Sequence, residues 1–233
     1  MTLPTKLVLA WDSVNVNRNA IPVPSQIGTT PGAASWTDGF PPLCLTPIGS
    51  GGIPPSGKDM NGVLWTLSNL LLYWNSGLIA FPYDGTFQTA ISGYPIGAKL
   101  LQAADNTATW TSNTAANATD PDTGGAGWIS SKPLYATTAP TAGAHNDVAL
   151  PGPSDYVLDV DTTAGAASFS GFVAQRDGQC VVVNNTGANL LTLSALTGSS
   201  AANQFRLPTD LALVQNQSAT LQYSTGATKW VVA

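Results

Sequence analysis

The stretch most suggestive of chemistry is Gly52-Ile-Pro-Pro-Ser-Gly57-Lys58, which has the Gly-x-x-x-x-Gly-Lys spacing of a phosphate-binding loop ahead of a helix. The residue types defeat that chemistry. Such a loop cradles phosphates with successive backbone N–H groups, and Pro54 and Pro55 have none; the hydroxyl that would hold magnesium after the lysine is replaced by the carboxylate of Asp59. The preceding PPLCLTPIGS is broken by prolines, and no later uninterrupted apolar strand ends in an Asp to complete a nucleotide site. Asp120 and Asp122 fall at the first and third positions of a calcium-type loop, but Gly124 and Ser131 stand where further oxygen ligands belong, so a turn is the better account. Asp159 and Asp161 would share one face of a strand, a spacing that could pair carboxylates for glycoside cleavage, although two acids on a solvated strand face are far commoner. His145 has no Cys or Ser motif beside it and reads as solvated, and Cys44 and Cys180 read as buried thiols. The expectation is a protein with no catalytic residue, no cofactor and no metal.

Composition points the same way. Only 9% of the 233 residues are charged, 43% are hydrophobic, and the formal charge is -5. No basic surface exists to neutralise phosphates or to bind an anionic bilayer, so nucleic acid is excluded as a partner. The length suggests two modest cores, and the 23 glycines and 17 prolines suit short strands joined by turns. The opening MTLPTKLVLAWDSVNVNRN lacks the apolar region and small-residue cleavage site of a signal peptide, which predicts cytoplasmic synthesis. Asn-x-Ser/Thr matches at Asn117, Asn184 and Asn216 are what chance yields in a chain rich in these residues.

One element stands out between these motifs. After Pro55 the sequence supports a helix over about 57–75, with Ser56 as N-cap, Asp59 near the positive helix end and Gly77 as the stop. Its apolar run, from Met60 to Trp74, is shorter than the roughly 20 residues a bilayer span needs and is interrupted by Asn61, Thr66, Ser68 and Asn69, so no membrane insertion is expected. Met60, Leu64, Leu67, Leu71 and Trp74 are spaced 4, 3, 4 and 3, the alternation of a coiled-coil seam, and Val63 and Leu70 widen the stripe enough for three helices about an axis. A helix packed on its own domain would show the same spacing. Residues 1–55, however, are too proline-broken to offer a sheet for it to cover, so Trp36, Phe40 and Leu43 are expected to dock on the helix or on another subunit.

Beyond the helix, residues 78–128 hold two or three short strands interrupted by Asp-Gly, Ser-Gly and Gly-Gly turns. Residues 131–153 carry four prolines among small residues and read as an extended linker. From 154 to 233 the runs DYVLDVD, ASFSGFVAQ, QCVVVNN, NLLTLSAL, LALV, SATLQYS and KWVVA have strand character, and Ala219, Leu221 and Tyr223 alternate with polar residues. The fold class predicted is mainly β with one central helix: an extended Pro/Gly-rich amino-terminal segment, then a small antiparallel β-sandwich or jelly-roll domain.

Three blocks carry a resemblance: Ala34-Ser35-Trp36-Thr37-Asp38-Gly39-Phe40-Pro41-Pro42, the GGIPPSGKDMNGVL run at 51–64, and Asp120-Pro-Asp-Thr-Gly-Gly-Ala-Gly-Trp128. In this order, over about residues 17–128, the chain resembles the amino-terminal region of tail-fibre proteins of bacteriophages and prophages. The carboxyl-terminal GQCVVVNNTGANLLTL and SATLQYSTGATKWVVA are similar, more loosely, to β-rich modules that end many phage tail proteins. The resemblance implies a virion structural protein, usually a homotrimer, assembled in the bacterial host cytoplasm and located in the virion tail. Residues 1–130 would be the tail-attachment and oligomerisation region, 131–153 the linker and 154–233 the β-sandwich module, with other tail or baseplate proteins as partners. Because a single β-domain follows the linker where many fibres carry a long shaft, a short fibre, an adaptor or a collar protein all fit. The alternative is a tailspike-like protein that binds or cleaves cell-surface glycan through Asp159 and Asp161 or exposed aromatics, against which stands the missing long β-helical repeat.

Overall fold

The computed structural model describes residues 6–14, 17–78, 80–173 and 176–233. The chain forms two compact units, Met1–Ile79 and Ala80–Ala233. Among the described residues of the first, the longest regular element is helix α1, Gly57–Asn75, where the sequence placed it. Ser56 precedes it in an extended conformation without a side-chain capping bond, Ser76 closes it, and Gly77 takes the left-handed φ of 95° just beyond. The proline-rich residues before α1 form short 3-10 turns at Pro42–Leu45 and Ile48–Ser50, joined by isolated backbone bonds such as Trp36 N–H to Pro22 O and Ile53 N–H to Leu43 O. The buried residues described in this unit are Ala10, Gly32, Ala34, Ser35, Pro41, Asp59 and Gly62, and none carries a large apolar side chain.

The second unit opens with a four-stranded sheet of β1 (Phe81–Pro82), β2 (Lys99–Leu101), β3 (Thr109–Ser112) and β4 (Trp128–Ser130), with the short helix α2 (Gly85–Ala90) between β1 and β2. Tyr94, Leu100 and Trp128 make its small core, and Trp128 Nε1 donates to Thr119 O. The Asp120–Thr123 stretch is the expected turn: Asp120 Oδ1 accepts from Asp122 N–H, and Asp122 Oδ1 accepts from Trp110 Nε1 and Ala103 N–H.

The remainder is β-solenoid-like. Strands β5 (Leu134–Thr138), β7 (Tyr156–Val160) and β9 (Cys180–Asn185) stack in parallel on one side, and β6 (Gly143–His145), β8 (Ala167–Phe169) and β10 (Leu191–Leu193) stack in parallel on another. Gly143 pairs with Ala167 and Ala167 with Leu191, a step of 24 residues each time (143, 167, 191). After the third rung the chain reverses. β12 (Leu211–Leu213) runs antiparallel to β10, β13 (Ser218–Ser224) runs antiparallel to β9 and turns into β14 (Lys229–Val232), and β11 (Phe205–Arg206) lies beside β14. Inward side chains fill the rungs, with Phe172 at their centre: its ring meets Phe205 at 5.1 Å and Trp230 at 5.5 Å edge to face, and Trp230 Nε1 donates to Phe172 O. Asn185, fully buried, holds a corner by donating Nδ2 to Asn189 O and Leu213 O.

Four expectations are corrected here. The carboxyl-terminal part is not an antiparallel sandwich or jelly roll, because TTAGA and NTGA turn the chain onto a different sheet instead of back along the same one, leaving each strand to pair with a strand one rung away. Residues 131–153 do not form a linker between domains: they carry β5 and β6, the first rung. Pro133, Pro140, Pro151 and Pro153 all fall outside the strands, where a missing N–H costs no ladder bond. His145 accordingly sits half-buried in β6, its ring edge to face with Phe169 at 5.9 Å, instead of solvated in a linker. Cys44 and Cys180 are free and half-buried rather than buried.

Turn-capping carboxylates give the fold an acid limit. The Lys132 ammonium, 2.6 Å from Asp105 Oδ2, and the Thr107 hydroxyl lower Asp105 to about 2. The Asn203 amide lowers Asp147, the Thr163 hydroxyl Asp161 and the Thr225 backbone N–H Asp177. Each is more acidic folded than unfolded, so the unfolded chain takes up protons first as pH falls below the ordinary value of 3.8. The stabilisation is complete about one unit above that value, near pH 5, and the Asp105 share of it is lost as pH falls toward about 2. Circular dichroism melts should therefore show a midpoint steady from pH 7 to about pH 5 and falling from there to pH 2; a midpoint unchanged at pH 2 would contradict these bonds.

Candidate functional site

Among the described residues of the first unit, one face of α1 is an exposed apolar stripe. Met60, Leu64, Leu67, Leu71 and Trp74, the five residues of the expected seam, are all exposed, Leu67 at 50%. Leu70 beside them is exposed and Val63 half-buried. The structure brings the five into one stripe, as a 3.6-residue repeat requires.

The opposite, polar side of α1 is the one its own chain covers. Asp59, 3% exposed, accepts from Asn19 Nδ2 at 2.6 Å and from the Ala34 backbone N–H at 2.9 Å. Gly62 lies against the Asn19 carbonyl so closely that a Cβ there would stand 2.2 Å from the oxygen. Arg18 stacks over the Trp65 ring at 4.4 Å. The amino-terminal arm then runs antiparallel along one edge: Asn19 N–H to Lys58 O, Asn61 Nδ2 to Asn17 O, Trp11 N–H to Ser68 Oγ, Trp11 Nε1 to Asn61 Oδ1 and Lys6 Nζ to Asn75 O. Of the aromatics expected to dock on the helix, Trp36 lines a cleft with Arg18, Trp65 and Thr66. A charged residue and a glycine near the start of an amphipathic helix, Asp59 and Gly62, were the sequence signals for this arm; the first reads as an ordinary helix-terminal acid and conceals it.

The remaining candidates resolve into structural roles. Gly52 abuts the Thr46 carbonyl, a Cβ there standing 1.8 Å from the oxygen, and Ile53 N–H is spent on Leu43 O. Gly52 of the supposed phosphate loop thus serves chain packing, while a Cβ at Gly57 would meet nothing. Asp161 lies past the end of β7 and accepts from Thr163 N–H and Oγ1, while Asp159 on the strand accepts from Asn184 Nδ2 at 2.9 Å. His145 Nε2 lies 2.8 Å from Thr141 O. Among the described residues no three metal-ligating side chains cluster, and no helix is long and apolar enough to cross a membrane.

An open groove of about 540 Å3 in the second unit is lined by Trp110, Trp128, Tyr135, Tyr156, Pro151 and Pro153. Tyr135 is 80% exposed on its rim. Neither a scan against protein-family models nor a search of curated proteins returns a match for the chain.

Proposed function

We propose that the chain is a non-enzymatic structural protein of a bacteriophage virion, a tail fibre or fibre adaptor that joins the tail through residues 1–130, takes part in host-cell attachment and assembles as a homotrimer about α1. One observation carries this reading. The first unit holds a 19-residue helix and an extended chain without burying a single large apolar side chain among its described residues, while the helix's apolar stripe faces outward. A unit of that size with so little core is marginal alone and gains its burial from other chains. The stripe bears no charge that would select an unlike helix, so copies of itself suit it best. The resemblance of residues 17–128 to tail-fibre attachment regions supplies the setting: assembly in the host cytoplasm, a place in the virion tail, and other tail or baseplate proteins as partners.

A second reading, a tailspike-like protein acting on cell-surface glycan, is favoured in its binding form by the aromatic groove beside Tyr135, since flat rings suit the apolar faces of sugars. Its cleaving form has less support, because Asp161 caps a turn and is held ionised when a general acid must carry a proton. A glycan array paired with a reducing-sugar assay separates the readings, and electron microscopy of virions labelled on this chain tests the first. Label on the tail without sugar release supports a fibre or adaptor; sugar release overturns it in favour of the spike.

A further inference from the structure

The arm along α1 makes a second surface beside the seam, and its partner follows from its place; the inference rests on the self-association reading above. We propose that the amino-terminal arm is an inter-subunit lock, in which Trp11 of one copy packs on Val63 and Leu70 of the neighbouring copy. The arm is fixed along α1 by the bonds from Lys6, Trp11, Asn17 and Asn19 described above, and Trp11 alone makes two of them, at 2.7 Å through its backbone N–H and 3.1 Å through Nε1. Both of its donors are thus satisfied on the helix, yet the residue stays 54% exposed. Leu7, Val8, Leu9 and Val14 are exposed with it, so the arm spends hydrogen bonds on the helix and leaves its large apolar side chains outward.

Geometry selects the partner. Asn61 and Ser68, which hold Trp11, each follow a seam residue by one position, Met60 and Leu67. Val63 and Leu70 each precede a seam residue by one position, Leu64 and Leu71, and lie on the opposite edge of the stripe. In parallel helices about an axis, the residues flanking the seam on one edge meet those flanking it on the other edge of the next helix. The edge carrying Trp11 therefore faces the Val63 and Leu70 edge of the neighbour, and both sides of that meeting are apolar. The seam needs such an addition: five residues spread over about two heptads form a marginal coiled coil, and the exposed half of one indole brings on the order of 100 Å2 of further contact area.

Sedimentation equilibrium on the full chain, as wild type, Trp11→Ala, Leu70→Ala and the double variant, tests the lock, with far-UV circular dichroism confirming that each keeps its helix. Each single change is expected to raise the concentration of half-dissociation about tenfold, and the double change about fivefold less than the product of the two. Within one copy Trp11 and Leu70 sit on opposite edges of α1, so coupling between them arises only across copies. Should Trp11→Ala prevent folding, Leu70→Ala reads the same contact from the other side, on a residue the single copy leaves exposed. Association that is insensitive to either change, or changes that simply multiply, overturns the lock while leaving a trimeric seam intact. A wild-type chain that is monomeric at micromolar concentration overturns the seam itself and the lock with it.

Discussion

Leu67→Asp is expected to turn a chain expected to sediment as a trimer at micromolar concentration into a monomer in which the second unit, with its own core, keeps its thermal transition. Leu67 stands in the middle of the α1 stripe, so three copies meeting there would bring three carboxylates together on one axis without a cationic partner. Burying an unpaired carboxylate costs several kcal/mol, and mutual repulsion adds to it, which exceeds what about two heptads of apolar contact return. Within a single copy the same side chain is half exposed, where a polar replacement changes stability by about 0.5 kcal/mol or less. The pairing of these two effects gives the test its force: assembly lost, core of the second unit kept. A wild-type monomer, or a trimeric Leu67→Asp variant, would show the stripe to be a surface with some other purpose.

Phe172→Ala is expected to act in the opposite manner, on the fold of the second unit. Phe172 is fully buried, its ring stacks edge to face on Phe169, Phe205 and Trp230, and its carbonyl accepts the Trp230 indole N–H. Truncation removes the ring that ties the rungs to the closing strands and leaves a cavity that fixed β-ladders cannot collapse around. The loss is about 3–5 kcal/mol, a large share of the roughly 5–15 kcal/mol a domain of this size possesses. The thermal midpoint should drop by about 10 °C, read by circular dichroism in the β region. A drop of less than about 2 °C would mean that the rungs and the closing strands are not one cooperative core.

Helix α1 and the mainly-β class were legible because each depends on local pattern. The end of the proline run at Pro55, the 4, 3, 4, 3 spacing of apolar residues and Gly77 confine the helix to 57–75 without reference to anything distant. The apolar stripe of Met60, Leu64, Leu67, Leu71 and Trp74 was legible for the same reason, since helical geometry alone puts that spacing on one face. Strand positions from 155 onward were also set locally, since β-branched runs and period-2 alternation decide which side chains point inward.

What alternation does not encode is the partner. A strand such as Tyr156–Val160 buries the same three side chains whether it pairs antiparallel with the next strand or in parallel with one a rung away. The solenoid-like choice rests on corners such as Asn185 with Leu213 and on the 24-residue step, which no recurring run marks in the sequence: the two TAGA runs, at 141–144 and 163–166, are offset by 22 residues and out of register with the strand pairing. The prolines of 131–153 pointed away from strands, because their harmlessness depends on falling between ladders, a matter of register. The arm was hidden for a related reason: Asp59, Gly62 and Trp11 acquire their roles only through bonds to residues some 40 to 60 positions distant in sequence. Sequence alone determined which faces of this protein are apolar and which elements carry them; tertiary structure alone decided what each face meets, because pairing and docking are long-range free energies that no local pattern contains.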